Sequence, residues 1–440
     1  MTMQTYVAGV DSSTQSTKVV VWDPQTETVV RAGSAPHPEG TAVDPRAWVE
    51  AFLTAAKNAG GLEDVGALSV GGQQHGMIAL TAEGDPVRDA LLWNDTRSAQ
   101  AAEDLRAELP VSTWTHACGS APVASLTVAK VRWFADHEPE NLARTAAICL
   151  PHDYLTWVLS GSKDVTTITT DRSDASGTGY VDLHSGRYRR DLFAMALRRD
   201  EPSIHLPRIV GPREVAARVH RGIDEIGLRA GTLLGPGAGD NAAAALGLKA
   251  GVGEAVVSVG TSGVVSVVAD QPVADDKGAI NGFMDASGNW LPLACTLNGA
   301  RVISMTAALL GVDFAQFDEL ALSVPDANGL QMLPYFAGER TPNLPDASAS
   351  LSGMNLANWD RAHLAHAAVR SLCELLAGAA DAVRACDVPL NSVRLIGGGA
   401  RSRAVATMLP EILGVEVEVP QPAEYVAIGA ARQAATIHNS

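Results

Sequence analysis

The sequence predicts an α/β protein of two domains. Three observations carry that reading. At 440 residues the chain exceeds one ordinary core and suits two units of about 200 residues. β-branched runs alternate with helical patterns along most of its length. One unit, two apolar runs joined by a turn of small polar residues, occurs at residues 6–23 and again at 255–269.

Composition narrows the class. With 46% apolar and 19% charged residues the chain is globular rather than disordered. A formal charge of -16 leaves no basic stripe to replace phosphate counterions, so no nucleic-acid partner is expected. A nucleotide is not excluded. Screening over about 8 Å makes a bound triphosphate answer to nearby amides, lysines and ions, not to total charge. The five cysteines lack CxxC spacing and are odd in number, which predicts free thiols rather than a disulfide framework or zinc site. MTMQTYVAGV has no basic leader, and no run of about 20 apolar residues appears, so a cytoplasmic protein without a membrane partner is expected.

In chain order, YVAGVDSSTQSTKVVVWD reads as a hairpin turning at Ser12 to Thr17 with Asp11 at the end of its first strand. AVVSVGTSGVVSVVA repeats the form, turning at Gly260, Thr261, Ser262 and Gly263. Each turn alone is an ordinary hairpin. As a pair a domain length apart, their exposed amides and hydroxyls suit facing jaws around a polyphosphate, and Asp11 between them would hold Mg²⁺ through water. ALSVGGQQHGMIAL is a strand entering a loop where Gln74 and His75 are either solvated or exposed to sugar hydroxyls. LLWNDTR groups Trp93 with amide, carboxylate and guanidinium, either a sugar-binding set or a surface turn with an Asp95–Arg97 ion pair.

Residues 98–160 read as scaffold helices, and 169–188 as a polar, turn-rich loop near a polar ligand. Pro202, Pro207 and Pro212 mark the boundary between halves. GPGAGDNAAAALG, residues 235–247, is a glycine-rich bend into an alanine helix, placing Asp240 at or near the N-cap. That carboxylate either caps the helix or takes a proton from a substrate hydroxyl. The helix at 360–385 has a core stripe of Leu364, Ala368, Leu372, Leu375 and Ala379. VRLIGGGARSRAVATMLPEIL then reads as strand, triple-glycine turn and helix, suited to a nucleotide although it matches neither GxxxxGK[ST] nor GxGxxG.

The pieces GVDSSTQSTK, GQQHG, LLWNDTR, SDASGTGY, GAGDNAAAALG, SVGTSG, GERTP and IGGGARS, in this order and nearly end to end, resemble the FGGY sugar kinases of the actin-like ATPase superfamily. The resemblance implies two actin-like (ribonuclease H-like) ATPase domains flanking a central cleft. Residues 1–233 would hold sugar and the first phosphate hairpin; residues 234–440 would hold the base, the second hairpin and the adenosine site. It implies Asp240 as catalytic base and Asp11 as metal-associated carboxylate, both placed to serve Mg²⁺. Gln74, His75, Asn241 and Trp93 would meet a ketose. Thr14, Lys18, Gly260, Thr261, Gly398, Gly399 and Ser402 would meet ATP. A helix N-terminus is expected to keep Asp240 ionised. Ser13 departs from the family's usual glycine, and Gln74 from a methionine common in bacterial members. Oligomeric state, a homodimer included, stays open. The rival readings are an actin-like nucleotide switch and a silent sugar-binding regulator.

Overall fold

The computed structural model describes residues 6–200 and 203–438. Residues 1–5, within the segment searched for a leader, and the boundary residue Pro202 lie outside the described residues.

Both repeated units are antiparallel hairpins. In the first sheet β1 (Tyr6–Ser12) pairs β2 (Ser16–Asp23), which pairs β3 (Thr28–Pro36), while β4 (Val65–Gly72) lies parallel to β1. β5 (Ala217–Arg218) and β6 (Leu233–Leu234) extend the β4 edge, and β7 (Ala238–Gly239) also pairs parallel with β4. The second sheet holds β8 (Glu254–Val259), β9 (Gly263–Val267), β10 (Asn281–Met284), β11 (Trp290–Thr296), β12 (Ser392–Ile396) and β13 (Glu416–Glu418), in the order β10-β11-β9-β8-β12-β13. Each sheet therefore has a hairpin, a third antiparallel strand beside the hairpin's second, and a parallel strand beside its first. A parallel neighbour requires a crossover, which explains the helices between β12 and the strands before it.

Helices cover these sheets. α1 (Arg46–Asn58) buries Phe52 and Ala55 against the first sheet, and α2 (Pro151–Ser160) buries Leu155 and Leu159 there. The short α3 (Arg172–Ser176) precedes α4 (Asp240–Gly247) and α5 (Ala300–Leu310). α6 (Arg361–Arg384) buries all five residues of the predicted stripe, Ala368, Leu372 and Ala379 of them in the second core, which α7 (Arg403–Leu413) joins. Residues 98–160 are mainly helical as expected, whereas residues 169–188 correct the sequence reading. Their first half is not a loop: a strand (Thr169–Asp171) leads into α3, and Asp171, Ser173, Asp174, Ser176 and Thr178 are buried, while His184, Ser185 and Arg187 lie in an exposed turn. Part of their polarity is satisfied inside the protein, as where Asp171 accepts from the Ser173 and Asp174 amides, whereas both Asp174 carboxylate oxygens lack a hydrogen-bond partner among the described residues.

The last helix, α8 (Tyr425–His438), returns to the first sheet, burying Ala427, Ala431 and Ala434 with Val7 and Val20. Alanine and glycine are required where it crosses α4, because the backbones nearly touch. A Cβ at Gly429 would run into the Ala243 carbonyl, and one at Gly247 into that of Tyr425. All five cysteines are free, with Cys118, Cys149 and Cys373 buried. Among the described residues no helix is long and apolar enough to cross a membrane.

These contacts separate two kinds of glycine. Gly429→Val is expected to destabilise by about 2 kcal/mol or more through overpacking, read as a lower urea midpoint. Gly378 lies in the interior of α6, where a Cβ would meet open space. Gly378→Ala should instead give a gain of about 0.5–1 kcal/mol.

Candidate active site

Strand register assembles the centre of the site. Asp11 stands opposite Gly71 across β1 and β4, and Ala238 stands opposite Gly71 across β4 and β7. The three strands thus end side by side, so Asp11, the Gln74–His75 loop and Asp240 emerge at one edge. Glycine is needed in this row: a Cβ at Gly239 would lie 2.5 Å from the Gln74 amide nitrogen.

Gly239 is the N-cap residue of α4 and Asp240 its first residue, with no side-chain cap bond. Instead, Asp240 Oδ1 accepts from the Asn241 amide at 2.8 Å and from Asn241 Nδ2 at 2.9 Å. Asn241 Nδ2 also donates to Gln74 Oε1 at 3.1 Å, joining the expected base to two of the side chains expected to meet the sugar. Asp240 Oδ2 has no hydrogen-bond partner among the described residues, which leaves a lone pair for a proton. The expectation that the helix end keeps this group ionised is corrected by its surroundings. Burial, with Asp11 adding to it, pushes Asp240 up to about 7 against the stabilisation from the backbone amides of Asn241 and of Asp240 itself.

Asp11 is 3% exposed, so it is no solvated edge residue. Burial raises it to about 6, opposed by Ser13, whose hydroxyl donates to Oδ1, and by Lys18. Ser13, which departs from the family's glycine, thus turns its side chain onto the carboxylate. Lys18 Nζ lies 3.8 Å from Asp11 but 2.6 Å from Glu424, so its charge is shared. The Asp11 and Asp240 carboxylates thus share one edge with little compensating positive charge. Among the described residues no group of three or more His, Cys, Asp or Glu forms a metal cage. The donor set therefore fits Mg²⁺, which takes most ligands from water and phosphate and only one or two from carboxylates.

His75 has φ 68°. Its Nδ1 donates to the Gly177 carbonyl at 2.9 Å, which leaves Nε2 as an acceptor. Burial, with Lys130 and Arg340 nearby, pulls it down to about 3, so it is neutral at working pH. Trp93 is placed differently: its indole N–H donates to Thr14 of the first hairpin at 2.8 Å, and the ring is 42% exposed. Behind it the Asp95–Arg97 pair forms at 2.8 Å, with Asp95 buried and also accepting from Thr41. The LLWNDTR segment thus combines the ion pair with an exposed ring.

The second hairpin leaves Gly260 and Thr261 exposed. A cavity of about 690 Å³ joins Thr261 to Ile303, Phe314, Gly398, Gly399 and Ser402. Gly398 also lines a neighbouring cavity of about 590 Å³ with Asp11, Lys18 and Gly397. The Ser402 hydroxyl caps α7 through the Val405 amide and donates to Asp318, so it orders the helix start facing the cavity.

Sequence reasoning passed over the clamp behind this hairpin. Thr296 Oγ1 accepts from the Gly263 amide at 3.0 Å and donates to the Asn298 carbonyl, and Asn298 Nδ2 reaches Gly338 and Glu339. Buried Glu339 also accepts from the Leu297 and Arg340 amides. Glu339 lies within GERTP, where nothing local marks it as buried, and its partner Asn298 is remote in sequence.

A cleft that offers one carboxylate with a free lone pair, a second beside it and two small-residue turns is the equipment of a phosphotransferase. Residues 6–247 match the N-terminal and residues 255–437 the C-terminal domain of the FGGY family of carbohydrate kinases, and the chain belongs to that family. Its fold is the actin-like ATPase fold of those kinases. The chain is 44% identical over 437 residues to xylulose kinase of Streptomyces rubiginosus, covering 98% of this chain and 87% of that one. It is 32% identical to xylulose kinase of Escherichia coli strain K12, covering 97% and 89%. Among solved structures it resembles xylulose kinase from Bifidobacterium adolescentis with a TM-score of 0.91 and 47% identity, covering 98% and 92%.

Because folding raises the Asp240 pKa, the folded protein binds more protons than the unfolded one between the ordinary carboxylate range near pH 4 and about 7. Stability from this group therefore falls as pH rises through that window. In chelator-treated, nucleotide-free protein, Asp240→Asn should melt higher than wild type at pH 7.5, with the gap closing toward pH 4. A gap independent of pH would show that Asp240 ionises as freely folded as unfolded.

Proposed function

We propose that this carbohydrate kinase transfers the γ-phosphoryl group of MgATP to D-xylulose, giving D-xylulose 5-phosphate and ADP. The observation that carries the reading is the free oxygen of Asp240, held by Asn241 beside Asp11 at the end of three aligned strands. The xylulose kinases of Streptomyces rubiginosus and Bifidobacterium adolescentis support the choice of sugar.

In this reading the sugar lies between Gln74, His75, Asn241 and Asp240, with Trp93 covering the passage toward the first hairpin. Neutral His75 accepts from one hydroxyl through Nε2, and the Gln74 amide donates to another group. The reacting hydroxyl gives its proton to Asp240 Oδ2 as its oxygen bonds to the γ-phosphorus, and the bond to the bridging oxygen breaks to release ADP. The transition state is loose, so the base acts late and positioning carries much of the rate. Thr14 and Lys18 of the first hairpin and Gly260 and Thr261 of the second hold the phosphates from opposite sides. Gly398, Gly399 and the helix started by Ser402 receive the adenosine. Mg²⁺, held by Asp11 and Asp240 through water, would neutralise phosphate charge. We place the division between sugar-binding and nucleotide-binding halves near residues 233–234, with α8 crossing back, and the enzyme in the cytoplasm where ATP is supplied.

Asp240→Ala should lower turnover with D-xylulose by about 10³-fold while ATP binding persists, measured by coupled ADP release and by nucleotide titration. Near-normal turnover would remove the base. In the same assay glycerol and polyols should give little ADP, and ATP without sugar only a slow background. Full-rate hydrolysis without sugar would instead favour a nucleotide switch.

A further inference from the structure

Behind the Asp240 loop lie four ionisable side chains almost wholly removed from solvent. His152 and Asp153 belong to the first turn of α2, Asp171 ends the strand before α3, and Asp174 lies within α3. His152 Nε2 lies 3.3 Å from Asp153 Oδ1, 3.2 Å from Asp171 Oδ1 and 3.3 Å from Asp174 Oδ2. Burial opposes charge on the imidazole, but the three carboxylates outweigh it and push His152 up to about 10. Burial raises Asp153 to about 6 and Asp174 well above the carboxylate range.

A buried ionic cluster is a poor stabiliser, since a packed apolar one of the same volume is often as stable. What sets this cluster apart is its connection to the loop. Asp171 Oδ2 accepts from the Ser173 amide at 2.7 Å and from the Ser173 hydroxyl at 2.6 Å. With its one proton committed to that carboxylate, the hydroxyl offers a lone pair, and the Gly239 amide donates to it at 3.0 Å. Gly239 is the residue before Asp240. On the other side the imidazole closes against Gly237, where a Cβ would lie 2.5 Å from Nδ1. The cluster thus touches the loop at two residues within three of the proposed base.

We infer that Ser173, oriented by Asp171 and the His152 cluster, is a positioning residue for phosphoryl transfer: it holds the Gly239 amide and so sets the direction from which Asp240 meets the sugar hydroxyl. The inference rests on Asp240 being the base. Ser173 touches neither substrate and acts through the backbone that carries Asp240, so its loss should appear in turnover and not in nucleotide binding.

The test compares Ser173→Ala, Ser173→Thr, Asp240→Asn and the Ser173→Ala/Asp240→Asn double variant in full-length protein, assayed by ADP release with D-xylulose. Ser173→Ala should lower kcat about 10-fold or more with KM for ATP within twofold of wild type and the melting temperature little changed. Ser173→Thr, which keeps the hydroxyl, should recover most of kcat. In the Asp240→Asn background Ser173→Ala should cost less than a further twofold, because the group it positions is already disabled. Wild-type kcat for Ser173→Ala, failure of threonine to rescue, or a full additive loss in the double variant would each overturn the inference. Should the alanine variant not fold, Ser173→Cys keeps the volume with a weak acceptor and is read by the same criteria. Unchanged turnover in Asp240→Asn would instead overturn the base assignment itself, an outcome separable from the Ser173 result.

Discussion

The parallel pairing of β1, β4 and β7 is the constraint on which the site depends. Backbone hydrogen bonds fix Asp11, Gly71 and Ala238 in one row, and chain direction then sends the segments after them to the same edge. No side chain has to find its partner independently. A one-residue slip of β7 against β4 would turn the loop over and aim Asp240 elsewhere. Glycines along the row are the steric condition for that closeness, since Gly72 lies against His152 and Gly239 against Gln74.

Electrostatics follow from the same crowding. Bringing two carboxylates to one buried edge raises both, and the nearest cation, Lys18, is divided between Asp11 and Glu424. Such a site is incomplete as an isolated charge distribution, and the proposed MgATP would supply the missing charge.

Local patterns make much of this legible in the sequence. Both hairpins, the strand–glycine–helix unit at 393–413 and the alanine helix after Asp240 depend on neighbours a few residues apart, and the chain forms all of them. Long-range satisfaction of polar groups is not legible. Residues 169–188 read as a turn-rich loop because Asp, Ser, Thr and Gly favour turns, yet here Asp171 and Ser173 find partners in the interior. His152 sits in a helix whose neighbours read as scaffold, and nothing nearby in the chain announces three carboxylates around it. The Asn298–Glu339 clamp is hidden for the same reason. Alanine at α4 reads as helix propensity, whereas its position against α8 shows that small size is the stricter demand.

The return of α8 has a bearing on how the enzyme comes into being. Gln433 accepts from the Gly237 amide and donates to the Gly237 carbonyl, both at 2.9 Å, pinning the same loop that Ser173 holds from the other side. Ribosomal synthesis reaches this glutamine long after the sheet it completes has left the exit tunnel. A chain without α8 would hold this loop through Ser173 alone, so docking of the last helix supplies the second of its two anchors.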